Sequence, residues 1–397
     1  MEDRSASPAP LLLIIDEFTH LIQSDPPLAS VLQKVWDHRL SKIDHLRLVL
    51  TGSLVGVMES EVLSGHAPLY GRATTLLRLR PLPFGILREL FPAWPPAERV
   101  AVYAVCGGVP AYLSLFAGSA RFGDGLKACL ALNSIMLTDA ALLLSDRLRE
   151  PHIHESVLAS IASGFHTWGE IARIACVSEG GLGYYIRTLL ALELIERRDP
   201  VLVAAGGRRG RYYVRDAFLR FYYRFIVPQR TAIERGALAR AAKTIGEDLR
   251  AFIGAYVFEE LCREWMVYAA DTGALDFLPE VVGAFWTQHR HQPVQLDVVA
   301  ASRREKRLFI GEAKWRGGSL SRDVLTDLVR RSQRMPQVTE PGWRVQYGLF
   351  AREGFTDATR QAAAEIGARL VDLAGLENTL VEGATRLEEP RFDEIEF

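Results

Sequence analysis

Residues 293–315 read PVQLDVVAASRREKRLFIGEAKW, two apolar runs separated by a turn of charged residues. Residues 295–300 and 308–315 have the composition of strands, with residues 302–307 as the connection. Side chains alternate along a strand, so Glu312 and Lys314 share a face. Asp297, near the end of the neighbouring strand, reaches the same face. Two carboxylates and a lysine on one sheet edge are suited to a divalent ion: the acids are hard oxygen ligands for Mg²⁺ or Mn²⁺. The lysine orients a water and stabilises charge on a phosphate. The plainer alternative is an exposed hairpin with solvated charges. Downstream, Leu320, Val324, Leu325, Leu328 and Val329 recur at helical spacing, with Arg322, Arg330, Arg331 and Arg334 elsewhere on that helix. Strands at 344–351 and 369–373, with a helix at 357–368, complete the sheet.

At 397 residues the chain accommodates two or three domains, and with 49% apolar residues it can build sizeable cores. The net charge of −1 excludes a globally basic protein, so any nucleic-acid surface is local. Cys106, Cys129, Cys176 and Cys262 are scattered without a CxxC pair, which predicts buried thiols in a reducing compartment and no zinc site. The apolar run at 11–15 is too short for a signal core or a membrane span, so a cytoplasmic location and no membrane contact are expected.

That run, Leu11 to Ile15, ends in Asp16 and Glu17. A fully apolar strand suits the centre of a parallel sheet, where ligands sit at strand carboxyl ends. This is a Walker B pattern, with Asp16 holding Mg²⁺ and Glu17 polarising a water. A second strand at 46–50 leads to Thr51-Gly52-Ser53, which puts a polar group beside the same site; a helix at 28–39 lies between the two. The order of these features resembles the archaeal-type ATPases of the AAA/STAND group, with Arg72 and the Gly107-Gly108-Val109-Pro110 turn following at the expected places. The resemblance implies ATP as cofactor and Arg72 as a phosphate sensor, a surface salt bridge being the alternative for Arg72. No GxxxxGK[ST] loop occurs in the chain. Either a longer native protein carries the loop or the ATPase is degenerate, and this chain alone is expected to bind ATP poorly. A sheet lacking its first strand predicts self-association.

Between 121 and 235 the pattern is that of a helical connector followed by a winged helix-turn-helix. Thr167 and Glu170 form a capping box. The third helix, at about 181–192, carries Tyr184, Tyr185 and Arg187. Arg208, Arg209 and Arg211 make a basic wing suited to phosphates. DNA is the favoured partner, and use of the module as a protein-contact element is the alternative. The aromatic stretch 216–228 has the spacing of a packed helix.

Asp297, Glu312 and Lys314 resemble the PD-(D/E)XK nuclease core. That core carries a further acid on the preceding helix, for which Glu259 and Glu260 are candidates, Glu260 being preferred. Where this family usually has an acid two residues before the Asp, this chain has Gln295. His289 and His291 read as loop residues.

The expected fold class is α/β plus α+β. A partial P-loop NTPase parallel sheet with a helical lid spans 1–120, the connector and winged helix 121–235, and a restriction-endonuclease-like α/β domain 236–385. A solvated acidic tail follows at 386–397. The implied activity is ATP-controlled nucleic-acid binding with metal-dependent phosphodiester hydrolysis. The rival is a non-catalytic DNA- or protein-binding regulator.

Overall fold

A computed structural model describes residues 10–52, 58, 62, 64–131, 134–137, 150–203, 206–207, 209–287 and 293–388. The chain divides into two compact units, one of residues 1–80 with 187–193 and the other of 81–186 with 194–397.

In the first unit β1 (Leu11–Ile15) and β2 (Leu46–Leu50) pair in parallel, joined through the helices Phe18–Ser24 and Leu28–His38. Phe18, Ile22 and Ala29 form a small core with Val62 and Leu69. Leu12 and Ile14 stay 58% and 56% exposed, because among the described residues β1 and β2 pair only with each other.

The second unit contains the helices Pro151–Ala162 and Trp168–Ile174, the first part of the helix Glu179–Ala191, whose residues from 187 on are grouped with the first unit, and then an antiparallel ribbon of β3 (Ile195–Arg198) and β4 (Arg211–Val214). The expected capping box is present: Glu170 Oε2 accepts from the Thr167 backbone N–H at 3.0 Å. Phe218, Phe221, Tyr222 and Phe225 are all buried, in keeping with core packing.

A five-stranded sheet follows, in the order β5 (Val281–Trp286), β6 (Gln295–Ser302), β7 (Arg307–Lys314), β8 (Arg344–Ala351), β9 (Arg369–Asp372). β5, β6 and β7 are antiparallel, whereas β8 and β9 run parallel to β7. Parallel strands need crossovers, supplied by the helices Arg322–Ser332 and Asp357–Ile366. Val299, Ala301, Leu308, Ile310 and Leu349 build the core on the face those helices cover. β5 has no counterpart among the expected strands; it is interrupted by a register shift between Gly283 and Phe285.

Helices expected to form an ATPase lid fold within this second unit. Gly107 ends the helix Pro96–Cys106 at φ 57°, a conformation that favours glycine. Gly108 then packs against Leu82, whose N–H donates to the Gly108 carbonyl at 2.8 Å. A Cβ on Gly108 would lie 1.9 Å from the Leu82 carbonyl oxygen, and backbone cannot yield as a side chain does. Gly108→Ala is therefore expected to cost about 3 kcal/mol, read as a lowered urea midpoint with an unchanged m value.

The last described helix runs up to and just into the stretch expected as an acidic tail. Leu373–Glu388 is one helix, with Leu376, Glu377, Leu380 and Ala384 buried; residues 389–397 lie outside the described residues. Cys106, Cys129 and Cys262 are buried free thiols, whereas Cys176 is exposed. Among the described residues no helix is long and apolar enough to cross a membrane.

Candidate metal centre

β6 and β7 carry the acids to one place. The register pairs Val298 with Gly311, so Asp297 and Glu312 meet one position further along the ladder. Both are buried, at 6% and 4% exposure. Asp297 Oδ2 accepts from the Ala313 N–H at 3.3 Å, which fixes the carboxyl across the strand pair. Lys314 Nζ lies 2.5 Å from Glu312 Oε1, and Arg331 Nη2 lies 2.8 Å from Glu312 Oε2. Among the described residues this buried oxygen accepts no well-aligned hydrogen bond, and the Arg331 guanidinium is the cation that faces it.

On the preceding helix Glu259 is the acid that feels the Asp297 charge. Its carboxyl is raised to about 8 by burial and then by the Asp297 charge, with Arg263 and Lys314 acting against both. Arg263 bridges the two acids' neighbourhoods: it lies 3.5 Å from Glu259 Oε2 and donates to the Asp297 carbonyl at 2.7 Å. Glu260, preferred from sequence, turns away to Arg198 at 2.7 Å and Arg220 at 3.1 Å. Burial would raise its carboxyl, but the two arginines outweigh that and hold it at about 2. The reason lies in the helix, which runs as Leu238–Phe252, a wider π turn over Ile253–Phe258, and then Glu259–Asp271. A π turn changes the angular phase of everything after it, and adjacent residues differ by about 100° around a helix.

Asp297 rises to about 6, first through burial and then through the Glu312 charge, partly offset by Lys314. Crowded hard-oxygen donors, one with an unused lone pair, fit a divalent cation chemically. Among the described residues, however, no three His, Cys, Asp or Glu side chains stand close enough to form a ready-made ion cage. His289 and His291 lie outside the described residues.

Gln295 has a structural part that its position in the motif did not disclose. Its side chain hydrogen-bonds the Asp297 carboxyl, and its Oε1 accepts from Arg211 Nη1 at 3.3 Å. Arg211 also stacks on Trp286, 4.7 Å from the ring centroid. Val201 N–H donates to the Ala284 carbonyl at 2.9 Å and Trp286 Nε1 to the Arg209 carbonyl at 2.9 Å. The segment between β3 and β4 is thus docked along β5, with Arg211 occupied there. Arg187 and Arg209 are exposed, Tyr185 bonds Glu150 at 2.9 Å, and Arg208 lies outside the described residues.

The ribbon is also seated on a neutral histidine. His166 stacks on Tyr213 at 4.2 Å, its Nδ1–H donates to the Tyr212 carbonyl at 2.8 Å, and its Nε2 accepts from the Tyr256 hydroxyl at 3.2 Å. Burial, with the Arg211 and Arg198 charges adding to it, lowers its pKa to about 4 despite the bond to Tyr212. A histidine depressed in the folded state contributes stability above its unfolded pKa of about 6.5, and that contribution is lost as pH falls towards 4. About 1–2 kcal/mol should disappear between pH 7 and 4.5 by urea denaturation, and His166→Gln should lack that part of the acid limb.

In the first unit Asp16 and Thr51 meet at the ends of β1 and β2, as expected. The Thr51 hydroxyl donates to Asp16 Oδ1, which also accepts from the Glu17 N–H at 3.0 Å. Glu17 sits in the left-handed region at φ 49°, a strained conformation for this residue type. Arg72 makes a two-pronged pair with Asp37, both bonds 2.8 Å, so a structural partner holds the expected phosphate sensor. Ser53 lies outside the described residues.

Residues 222–326, which include Glu259, Asp297, Glu312 and Lys314, match the family model DUF234, described as archaeal and bacterial proteins of unknown function. Among solved structures, a Walker-type ATPase of Pyrococcus abyssi aligns at 19% identity and a TM-score of 0.41. The alignment covers 54% of this chain and 63% of that one, so the chain spans less than two thirds of that ATPase. Protein VC1899 of Vibrio cholerae aligns at 12% identity over 96% of this chain and 98% of its own, with a TM-score of 0.23. Structural likenesses this low bear on neither fold nor function. The uncharacterized protein MJECL04 of Methanocaldococcus jannaschii is 32% identical over 326 residues, 81% of this chain and 72% of that protein. The chain belongs to the same family as that archaeal protein and carries a DUF234 domain.

Proposed function

We propose that the second unit is a metal-dependent phosphodiesterase acting on nucleic acid, DNA being favoured. The observation that carries this reading is the pairing of buried Asp297 and Glu312 across β6 and β7, with Lys314 Nζ on Glu312. Asp297 and Glu312 would hold Mg²⁺ or Mn²⁺, with Glu259 near enough to adjust the charge of the set. A bound divalent ion would supply Lewis acidity and a water of lowered pKa. Lys314 provides a cationic donor that stabilises negative charge gathering on a non-bridging phosphate oxygen. Arg263 fixes the strand end that presents Asp297, and Gln295 holds the Asp297 carboxyl from the other side.

The helices and ribbon of the second unit would guide the polyanion, with Arg208 and Arg209 on phosphates and Tyr185 beside them; Arg187, grouped with the first unit, is a separate candidate for a phosphate contact. Arg211 has a different task in this arrangement, since Trp286 and Gln295 hold it. It connects the ribbon to the acid site. Asp16, Glu17, Thr51, Ser53 and Arg72 belong in this reading to a nucleotide-responsive sheet. The chain has no GxxxxGK[ST] segment, so its residues do not make a phosphate cradle, and no step here runs through ATP. The exposed face of β1 and β2 is a site for self-association.

Mn²⁺-dependent cleavage of circular and branched DNA tests the proposal, with Asp297→Asn and Glu312→Gln beside the unsubstituted protein. Absence of both cleavage and Mn²⁺ binding would instead favour a non-catalytic regulator.

A further inference from the structure

Glu312 is approached by two cations, and the phosphodiesterase reading uses only Lys314. The other, Arg331, stands in the last turn of the helix Arg322–Ser332. Its Nε donates to Asp327 Oδ2 at 2.7 Å, its Nη1 donates to the Gln295 carbonyl at 2.5 Å, and its Nη2 lies 2.8 Å from Glu312 Oε2. Acceptors on β6, on β7 and one turn back on its own helix therefore fix this half-buried guanidinium. Two of the contacts are well-formed hydrogen bonds. The contact to Glu312 is a close ion pair, and it falls on a carboxylate oxygen that accepts no well-aligned hydrogen bond among the described residues.

We propose that Arg331 is a positioning residue that acts as a built-in counter-ion, occupying Glu312 Oε2 in competition with the divalent cation and so setting the affinity of the site for metal. The inference rests on the reading that Asp297 and Glu312 hold that cation. Like charges repel strongly at this range in a partly buried site, so a metal ion and the guanidinium do not share Oε2 on equal terms. Arg331 need not leave when a metal arrives, because Asp327 and the Gln295 carbonyl retain it. Its positive edge then faces the site with its Glu312 partner gone, where a phosphate oxygen of a polyanionic substrate can take it. Metal and substrate thereby favour each other's binding through one side chain.

Calorimetric titration with Mn²⁺ alone tests this without relying on turnover. Arg331→Gln removes the competing charge and is expected to bind Mn²⁺ about 10-fold more tightly. Asp327→Asn, a change on the exposed side of the helix, releases the guanidinium from its own turn towards Glu312, and should weaken Mn²⁺ binding about 3-fold. Opposite shifts in the two variants support the proposal. Unchanged or weaker binding by Arg331→Gln overturns it, and so does tighter binding by Asp327→Asn if the other variant fails to fold. Asp297→Asn separates the two levels. Binding that this substitution abolishes, without opposite shifts in the other variants, leaves the metal site standing and removes Arg331 from it. Absence of Mn²⁺ binding in both the unsubstituted protein and Arg331→Gln removes the metal reading itself.

Discussion

Arg99→Ala is expected to lower the free energy of unfolding by about 3–5 kcal/mol, enough to consume much of the stability of an ordinary domain. Arg99 Nε and Nη2 donate to the two oxygens of Glu377 at 2.6 and 2.7 Å, and its Nη1 donates to the carbonyls of Phe91 and Trp94. Arg99 and Glu377 are 5% and 2% exposed. Truncating the arginine leaves a buried carboxylate with only Arg88, 2.9 Å away and partly in solvent. It also strips the buried Trp94 carbonyl of its donor and leaves the Phe91 carbonyl with the Trp94 N–H alone. Burial alone would raise the Glu377 carboxyl, but the bonds from Arg99 and Arg88 win and hold it below the usual range. A depressed carboxyl contributes stability above its unfolded pKa and loses it as pH falls through the folded value. The gap between Arg99→Ala and the unsubstituted protein should therefore narrow in acid. Replacing both partners, Arg99→Met with Glu377→Met, should cost less than Arg99→Ala alone, because no unpaired charge remains between them. Urea denaturation at pH 7 decides the matter, and a loss below about 1 kcal/mol would mean that the pair contributes little.

This bridge illustrates what a sequence withholds. Arg99 and Glu377 are 278 positions apart, and nothing local distinguishes either from a solvated charge. Local signals fared better. Apolar runs located β1, β2, β6, β7, β8 and β9, and the capping box located the helix that begins at Trp168. The same signals brought Asp16 to Thr51 and Asp297 to Glu312, since alternation and ladder register follow from side-chain period. β5 was not legible because Gly283 and the adjoining register shift break its alternation. Glu259 and Glu260 were both visible as candidates, but the choice between them depends on the π turn of residues 253–258. The basic wing was read from composition alone. That reading is blind to Trp286 and Gln295, which take Arg211 for a tertiary contact.

Asp297→Asn and Glu312→Gln should each reduce Mn²⁺-dependent DNA cleavage by about 100-fold or more, and chelation of the metal should reduce the unsubstituted protein equally. The usual objection to such a result is that the variant fails to fold, and here the electrostatics answer it. The Asp297 carboxyl is pushed up to about 6, mainly by burial and by the Glu312 charge. A carboxyl raised above its unfolded value of about 3.9 costs the fold stability progressively as pH rises from that value through the folded one, because the buried charge costs free energy. Asparagine removes that cost and keeps an oxygen for the Ala313 N–H. At pH 8 Asp297→Asn should therefore unfold at the same urea concentration as the unsubstituted protein or a higher one, while its cleavage is lost. Lowering the pH to 5 should only about halve the stability difference, because the unfolded aspartate is still ionised there; the difference closes below the unfolded value of about 3.9. A variant inactive at pH 8 but no less stable assigns the loss to chemistry at the acid pair. Full cleavage by Asp297→Asn would mean that the hydrolysis is carried elsewhere.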